Sequence, residues 1–185
     1  MIGNLQFQTF YVSKEESNCP LIAKAIEIGK EFEKKGFSIN FNEIIISFKY
    51  GKRVLINADK TNIKELKRED FLEIIDYDPL KKVMLLMGSK KPNIDSSTHW
   101  LIHHARSEIN VVVQINDEKL SKKLENKILK TDFEYKSGTL EFAKEILKML
   151  RDHKKIIIKD KGILFVESNI NRLKEEALKT LEELK

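Results

Sequence analysis

The chain has 185 residues with a single cysteine and no long apolar run, and each shortage excludes a class of protein. One cysteine, Cys19, forms neither an internal disulfide nor a cysteine-rich metal knuckle, so we expect a small buried residue there rather than a reactive thiol. No hydrophobic stretch is long enough to cross a bilayer. The N-terminus also lacks the basic start and apolar core of a signal peptide. We therefore expect a cytoplasmic protein that has no membrane partner.

Blocks of like charge are also missing, although the net charge is +5 and the sequence pI is about 9.1. Lysines and glutamates alternate along predicted helices, as in residues 172–183, which is typical of a solvated helix face. The sequence has no RNA-binding signature and no zinc-finger spacing, so nucleic acid is not an expected partner. The composition, rich in Lys, Glu and Ile, is typical of a thermophilic protein.

No Pro-, Gly- or Ser-rich linker and no internal repeat divides the chain. Hydrophobic residues make up 41% and charged residues 34%, which is the profile of a folded globular protein. We therefore expect one domain over residues 1–185.

Hydrophobic periodicity predicts alternating strands and helices. The predicted strands cover residues 5–12, 43–48, 53–57, 71–75, 83–88, 111–113, 156–158 and 163–166. The predicted helices cover residues 21–35, about three turns after residues 95–97, then 119–129, 140–150 and a last helix that begins near Asn169. Gly36 is expected to end the first helix, because glycine enters the left-handed conformation without strain.

The stretch from Lys91 to Asp117 is the most informative part of the sequence. It begins as a loop with a proline, continues as a helix and becomes a β-branched strand, residues 111–113. Gln114 and Asn116 follow this strand, at the end where open sheets commonly expose binding groups. Asp95, or one of the two serines that follow it, can cap the helix by accepting first-turn N–H groups.

This stretch resembles the class II aldolase/adducin family, whose pattern reads roughly K-P-S-S-E-T-P-L-H and then A-R-P-D-V-N-A-V-V-H-T-H-P. The two align without a gap. The matching residues are Lys91, Pro92, Ala105, Arg106, Asn110, Val112 and Val113, with Asp95 on the family's glutamate and His99 on its helical histidine. Weaker matches extend the resemblance from about residue 21 to the C-terminus, so residues 1–15 are an extra strand outside the pattern. The resemblance implies a three-layer αβα domain with a mainly antiparallel central sheet, and a homo-oligomer.

The family's zinc ligands are not kept. The two histidines of H-T-H fall on Gln114 and Asn116, and the histidine of a later R-N-H-G falls on Lys161. Amide oxygens are weak ligands for zinc, and a lysine ammonium repels it. We therefore expect no zinc cofactor, and we interpret these three residues as binding a small anionic or carbonyl ligand.

The family's phosphate loops are altered as well. Its G-N-I-S-V-R and I-T-P-S-G fall on residues 44–49 and 56–60, where the glycines are replaced. A phosphate cradle needs converging backbone N–H groups, which glycine permits and branched residues do not. Ser47 and Lys49 remain as candidate anion-binding residues, but a phosphorylated sugar is not expected to bind as it does in the family.

Two residues allow both a chemical and a structural interpretation. Asp95 falls on the family's acid/base, so it is either a proton-transfer group or the helix cap. Lys161 is either a Schiff-base nucleophile or a replacement for the positive charge of the metal. Asp95, His99 and His103 are also one helical turn apart, which would suit a relocated metal site, although His99 matches a structural histidine and His103 an exposed position.

Two functions are consistent with a sequence that keeps the family's pattern but lacks its zinc ligands and phosphate loops. The first is a non-zinc binding or structural module, as in the adducin-like members. The loss of the zinc ligands together with the phosphate loops favours this function. The second is a diverged lyase or epimerase that acts on a small aldehyde, ketose or carboxylate, with Asp95 and Lys161 as its catalytic residues.

Overall fold

The computed structural model describes residues 5–34, 44–132 and 135–183, which form one eight-stranded sheet between two helical layers. The strands are β1 (Gln8–Ser13), β2 (Ile44–Tyr50), β3 (Arg53–Asn57), β4 (Phe71–Asp78), β5 (Val83–Met87), β6 (Val111–Ile115), β7 (Lys155–Ile158) and β8 (Gly162–Glu167). The helices are α1 (Ile22–Lys34), α2 (Ser96–Ala105), α3 (Glu118–Leu124), α4 (Leu140–Leu150) and α5 (Ile170–Glu182).

The strand order is β1-β5-β4-β3-β2-β6-β8-β7, and every neighbouring pair is antiparallel except β1 with β5. β2 and β6 lie side by side in the middle, and both are buried along most of their length. Helices cover both of their faces, which explains why the Ile and Val runs of these strands are continuous rather than alternating.

Each face of the sheet has its own core. On one face, α1 and α5 place Phe32 and Leu173 against Ile46 of β2. On the other face, α2 contributes Trp100 to one cluster and Ile102 to a second, which it shares with α4. The predicted three-layer αβα arrangement is therefore confirmed, and Trp100 is a buried packing residue. Cys19 is also buried, as expected.

Most of the predicted elements are present, with shifted ends. β1 begins three residues later than predicted, and β4 continues to Asp78, because a bulge between Ile74 and Asp76 prolongs its pairing with β5. α3 ends at Leu124 instead of near residue 129. The chain beyond it pairs with β7: Ile157 donates to the Leu129 carbonyl, and this backbone contact replaces another helical turn.

Helix caps fix the ends of several helices. Thr139 accepts from the backbone N–H of Phe142 at the start of α4, and the Asn169 side chain accepts from the N–H groups of Asn171 and Arg172 at the start of α5. The prediction that Gly36 ends α1 lies outside the described residues. Among the helices in the described ranges, none is long and apolar enough to cross a membrane.

Candidate functional site

Four side chains from distant parts of the chain meet at one end of β6. The Gln114 amide Nε2 donates to Asp95 Oδ2 at 2.8 Å and to Asn116 Oδ1 at 2.7 Å. Lys161 Nζ, from the turn before β8, donates to the same Asp95 oxygen at 2.5 Å. The structure therefore places Asp95 as the common acceptor for Gln114 and Lys161, and Asn116 joins the group through its hydrogen bond with Gln114.

Lys161 has further contacts with Ser137 and Phe142. Its ammonium also contacts Ser137 Oγ and lies 4.9 Å from the ring centroid of Phe142. The Asp95 side chain is completely buried, whereas 19% of the Lys161 side chain is exposed. A buried carboxylate requires a paired charge and hydrogen-bond donors, and Lys161 and Gln114 supply them. Sequence reasoning missed Ser137.

The expected side-chain cap by Asp95 is wrong. Asp95 occupies the N-cap position of α2, but its carboxylate makes no hydrogen bond with the first turn. The carboxylate is drawn instead toward Lys161 and Gln114, because an ion pair in a buried site outweighs a local cap. Its second oxygen, Oδ1, is buried and has no hydrogen-bond partner among the described residues.

His99 and His103 project from α2 toward β2, where both contact one hydroxyl group. Ser47 Oγ lies 2.7 Å from His99 Nδ1 and 2.9 Å from His103 Nε2. His103 Nδ1 donates to the Ile109 carbonyl at 3.2 Å, and all three side chains are buried. The exposed position expected for His103 is therefore wrong.

The structure does not join Asp95, His99 and His103 as metal ligands. Over residues 5–34, 44–132 and 135–183, no three His, Cys, Asp or Glu side chains converge in an arrangement that could hold a metal ion. The two imidazoles are engaged by Ser47 instead. Ser47 and Lys49, predicted to bind an anion, are placed elsewhere: Ser47 is enclosed under α2, and Lys49 Nζ donates to the Ser107 carbonyl at 3.2 Å.

One arrangement of hydrogens satisfies the three shortest contacts of this group. A carbonyl oxygen only accepts, so His103 carries its hydrogen on Nδ1. Ser47 then donates to His103 Nε2 at 2.9 Å and accepts from His99 Nδ1 at 2.7 Å. This leaves His99 Nε2 without a hydrogen where it faces the Gln114 Oε1 oxygen, and this 3.4 Å contact is the longest in the series.

Of the contacts that link the Ile109 carbonyl to the Asp95 carboxylate, one therefore has no hydrogen between its two atoms. Burial lowers the pKa of His99 to about 4 and that of His103 to about 3, so both imidazoles are neutral at pH 7. The gap falls between His99 and Gln114, because both atoms there are acceptors. A proton on His99 would close the gap, and burial opposes that proton.

A cleft of about 1370 Å³ opens beside these residues. Thr9 and Tyr11 of β1 form part of one wall, and Asp95 and Asn116 are among the lining residues. Neither Lys161 nor Gln114 is among the lining residues. The lining also includes Lys60, Lys90 and Lys91. Lys90 is paired with Asp70 at 2.5 Å, and Lys60 and Lys91 are exposed.

The residues at this site do not fit zinc. Zinc in proteins takes imidazole, thiolate or carboxylate ligands in tetrahedral geometry. Gln114 and Asn116 offer neutral amides that already bond to each other, and Lys161 offers a cation already held by Asp95. What the arrangement offers chemically is a buried carboxylate at a cleft, with one oxygen committed to an ammonium and the other without a donor.

Comparisons with known proteins agree with this architecture. The profile of the family described as Class II Aldolase and Adducin N-terminal domain matches residues 23–116, which is half of the chain and includes α2, β6 and the loop between them. β1 precedes the matched region. No curated protein matches the chain in sequence.

Solved structures match over most of the chain at low identity. An L-fuculose 1-phosphate aldolase superposes with a TM-score of 0.74 at 12% identity, covering 91% of this chain and 84% of the other. An L-fuculose-1-phosphate aldolase from Thermus thermophilus gives 0.66 at 18% identity, covering 88% and 89%. A putative aldolase/epimerase/decarboxylase from Escherichia coli gives 0.69 at 12% identity, covering 88% and 86%.

Proposed function

Because the chain belongs to the class II aldolase and adducin family, we propose that it is a zinc-independent binding module, in which the Lys161 ammonium replaces the positive charge of a metal ion. The observation that carries this proposal is the 2.5 Å contact between Lys161 Nζ and the buried Asp95 carboxylate. At the family's ligand positions, Gln114 and Lys161 both donate to Asp95, and Gln114 also donates to Asn116.

The energetics of exchanging the ammonium for a metal support the proposal. A metal ion at Gln114, Asn116 and Lys161 would have to displace the ammonium from Asp95 and remove its proton. Breaking a buried ion pair by removing one partner costs about 3–5 kcal/mol. The two amides would supply only weak bonds in return. The site is therefore proposed to work with its own fixed cation.

The cleft beside the pair indicates the kind of ligand. Asp95 is among the residues that line the cleft, and its Oδ1 has no donor among the described residues, so a ligand hydroxyl that reaches this oxygen would gain a charge-assisted hydrogen bond. Lys60 and Lys91 line the cleft together with the carboxylate of Asp59, and we propose that an anionic ligand binds against the two lysines. We therefore propose a small hydroxylated anion, such as a hydroxycarboxylate or a sugar acid.

Metal analysis of protein purified without chelator tests the proposal directly. We expect zinc far below one equivalent and a melting temperature that EDTA does not change. The matched variant is Gln114→His, Asn116→His, Lys161→His, which restores the imidazoles and should bind zinc with a stabilisation that EDTA removes. Stoichiometric zinc in the unmodified protein would refute the proposal.

Binding is tested with glycerate, which carries a carboxylate and two hydroxyls, and with propionate, which lacks the hydroxyls. We expect glycerate to raise the melting temperature more than propionate does, because Asp95 Oδ1 bonds only to a donor. The difference should vanish in Lys60→Ala, Lys91→Ala if the anion lies against those lysines. Equal effects of both acids on the unmodified protein would contradict the ligand assignment.

A second candidate function is a metal-independent lyase or epimerase, which the buried oxygen of Asp95 at the cleft favours. In aldol cleavage, Asp95 would take the proton of a ligand hydroxyl, the carbon–carbon bond would break, and the enolate product would be protonated. Turnover of L-fuculose 1-phosphate that persists in EDTA and disappears in Asp95→Asn would support this candidate. Trapping with borohydride would show whether Lys161 forms a Schiff base.

A further inference from the structure

The strand β1, which precedes the region that the family profile matches, contributes two side chains to the wall of the cleft. Burial alternates along this strand, and Thr9 and Tyr11 lie on its less exposed face and line the cleft. The Tyr11 ring packs against the hydrophobic cluster that includes Trp100. Because the ring is held by this cluster, the fold sets the position of the Tyr11 hydroxyl group.

The Tyr11 hydroxyl is bonded to the segment that follows β5. Tyr11 Oη donates to the Lys90 carbonyl at 2.8 Å, although the two residues are 79 positions apart in the sequence. Burial raises the pKa of this hydroxyl, so it keeps its proton and remains a donor. The Gly88 N–H also donates to the Ser13 carbonyl at 3.0 Å. β1 therefore holds residues 88–90 at two points, and one of these two contacts depends on a side chain.

The segment that β1 holds is bonded in turn to the loop after β3. The Lys91 carbonyl, one residue beyond the contact with Tyr11, accepts from the backbone N–H of Asp59 at 2.9 Å. Lys60 follows Asp59 directly in the sequence. The separation between the backbones of Lys60 and Lys91 therefore depends on this one hydrogen bond, and both lysines line the cleft.

The backbone of Lys60 is in the left-handed region, with a φ of 56°. Lysine rarely adopts this conformation, and it persists where surrounding contacts hold it. The Thr61 hydroxyl supplies one such contact by donating to the Ala58 carbonyl at 3.0 Å, and the bond from Asp59 to Lys91 supplies another. Strained backbone of this kind is concentrated at binding sites, which agrees with the position of Lys60 in the cleft lining.

We propose that Tyr11 is a positioning residue for an anion subsite at Lys60 and Lys91. Its hydroxyl holds the backbone at Lys90, and this contact keeps the Lys91 carbonyl in place to bind the Asp59 N–H. The two lysines are thereby fixed relative to each other before a ligand arrives, which lowers the cost of ordering them around an anion. The role in anion binding rests on the proposed function, whereas the role in holding the two loops together does not.

Amide hydrogen exchange followed by NMR tests the positioning without a ligand. Tyr11→Phe keeps the ring and removes the hydroxyl, so the Asp59 amide should exchange about tenfold faster or more. The matched control is Thr9→Val, because Thr9 lines the cleft from the same face of β1 and is not hydrogen-bonded to residues 88–91. It should leave the exchange of Asp59 unchanged. The Ala58 amide, which has a different acceptor, reports any general loss of stability. Equal acceleration of Asp59 and Ala58 in Tyr11→Phe, or none, would overturn the positioning role.

Glycerate and propionate, titrated by calorimetry, test the consequence for anion binding. Tyr11→Phe should weaken the binding of both acids about fivefold, because both place a carboxylate at the two lysines. The ratio of the two affinities should stay the same, since it reports the ligand hydroxyl at Asp95 Oδ1. Thr9→Val should leave both affinities within about twofold of the unmodified protein. A variant that is merely less folded would show fewer sites rather than weaker ones.

The proposed function and the role of Tyr11 fail in different ways. If neither acid binds the unmodified protein, the proposed ligand is wrong, and so is the anion subsite. If both acids bind and Tyr11→Phe leaves their affinities unchanged, the proposed function stands and the positioning role of Tyr11 in binding is refuted.

Discussion

Replacing Lys161 with methionine keeps an unbranched side chain and removes the ammonium that faces Asp95. The Asp95 carboxylate is completely buried, and its Oδ1 already has no hydrogen-bond partner in the described chain. The variant would leave that charge with the Gln114 amide as its remaining donor. We therefore expect Lys161→Met to lower the free energy of unfolding by about 3–5 kcal/mol, the usual effect of removing one partner from a buried pair.

Urea denaturation at pH 7 measures this loss, with two comparisons. Lys154→Met removes an ammonium from a contact with Glu167 at 2.6 Å, but 65% of the Lys154 side chain is exposed. We expect a loss there of about 0–1 kcal/mol. The double variant Asp95→Asn, Lys161→Met removes both charges, so its stability should exceed that of Lys161→Met alone, because no buried charge is left without a partner.

The size of the deficit and its rescue by the double variant decide the assignment together. A Lys161→Met deficit as small as that of Lys154→Met, together with no rescue by the double variant, would refute the assignment of Lys161 as the counter-charge of a buried site.

Three further predictions concern the same layer of the fold. Burial lowers the pKa of His99 to about 4 and that of His103 to about 3. The stability that the two neutral imidazoles contribute is therefore complete above about pH 6.5, and below it the free energy of unfolding falls by about 1.4 kcal/mol per pH unit for each histidine. Urea midpoints at pH 7 and pH 5 would show this loss, and equal midpoints would contradict it. Ser47→Ala removes the hydroxyl that both imidazoles contact and should destabilise by about 1–3 kcal/mol, whereas a melting temperature within one degree or so of the unmodified protein would mean that water replaces the hydroxyl. Gly162→Ala would place a Cβ 1.9 Å from the Ile115 carbonyl oxygen, so we expect little folded protein by circular dichroism, and a normal spectrum would show that β6 and β8 can separate.

Much of the site could be predicted because the alignment with the family pattern identifies the residues at the family's ligand positions. The alignment without gaps placed Gln114 and Asn116 after a buried strand, and a separate motif placed Lys161 on the third ligand position. The structure brings these three residues together around Asp95. The continuous Ile and Val runs of β2 and β6 likewise predicted strands buried on both faces, and this depends on composition alone.

The parts of the site that could not be predicted depend on contacts between residues far apart in the sequence. Local sequence patterns carry no information about such contacts. Asp95 has the sequence signature of a helix cap, but an ion pair with a residue 66 positions away decides the direction of its carboxylate. His103 is buried because α2 crosses β2 at Ser47, and nothing in the helical spacing of α2 specifies that strand or its register. Ser137 was missed for the same reason, since its hydroxyl meets Lys161 across two loops.

The position of Lys161 has a consequence for how the site is supplied with charge. An ion bound by a protein has a dissociation constant, so the charged fraction of such sites varies with the amount of free ion. An ammonium that belongs to the polypeptide is present in every molecule that folds, and dilution does not remove it. Under the proposed function, the positive charge beside Asp95 would therefore not depend on the supply of metal, and a mutation would be needed to remove it.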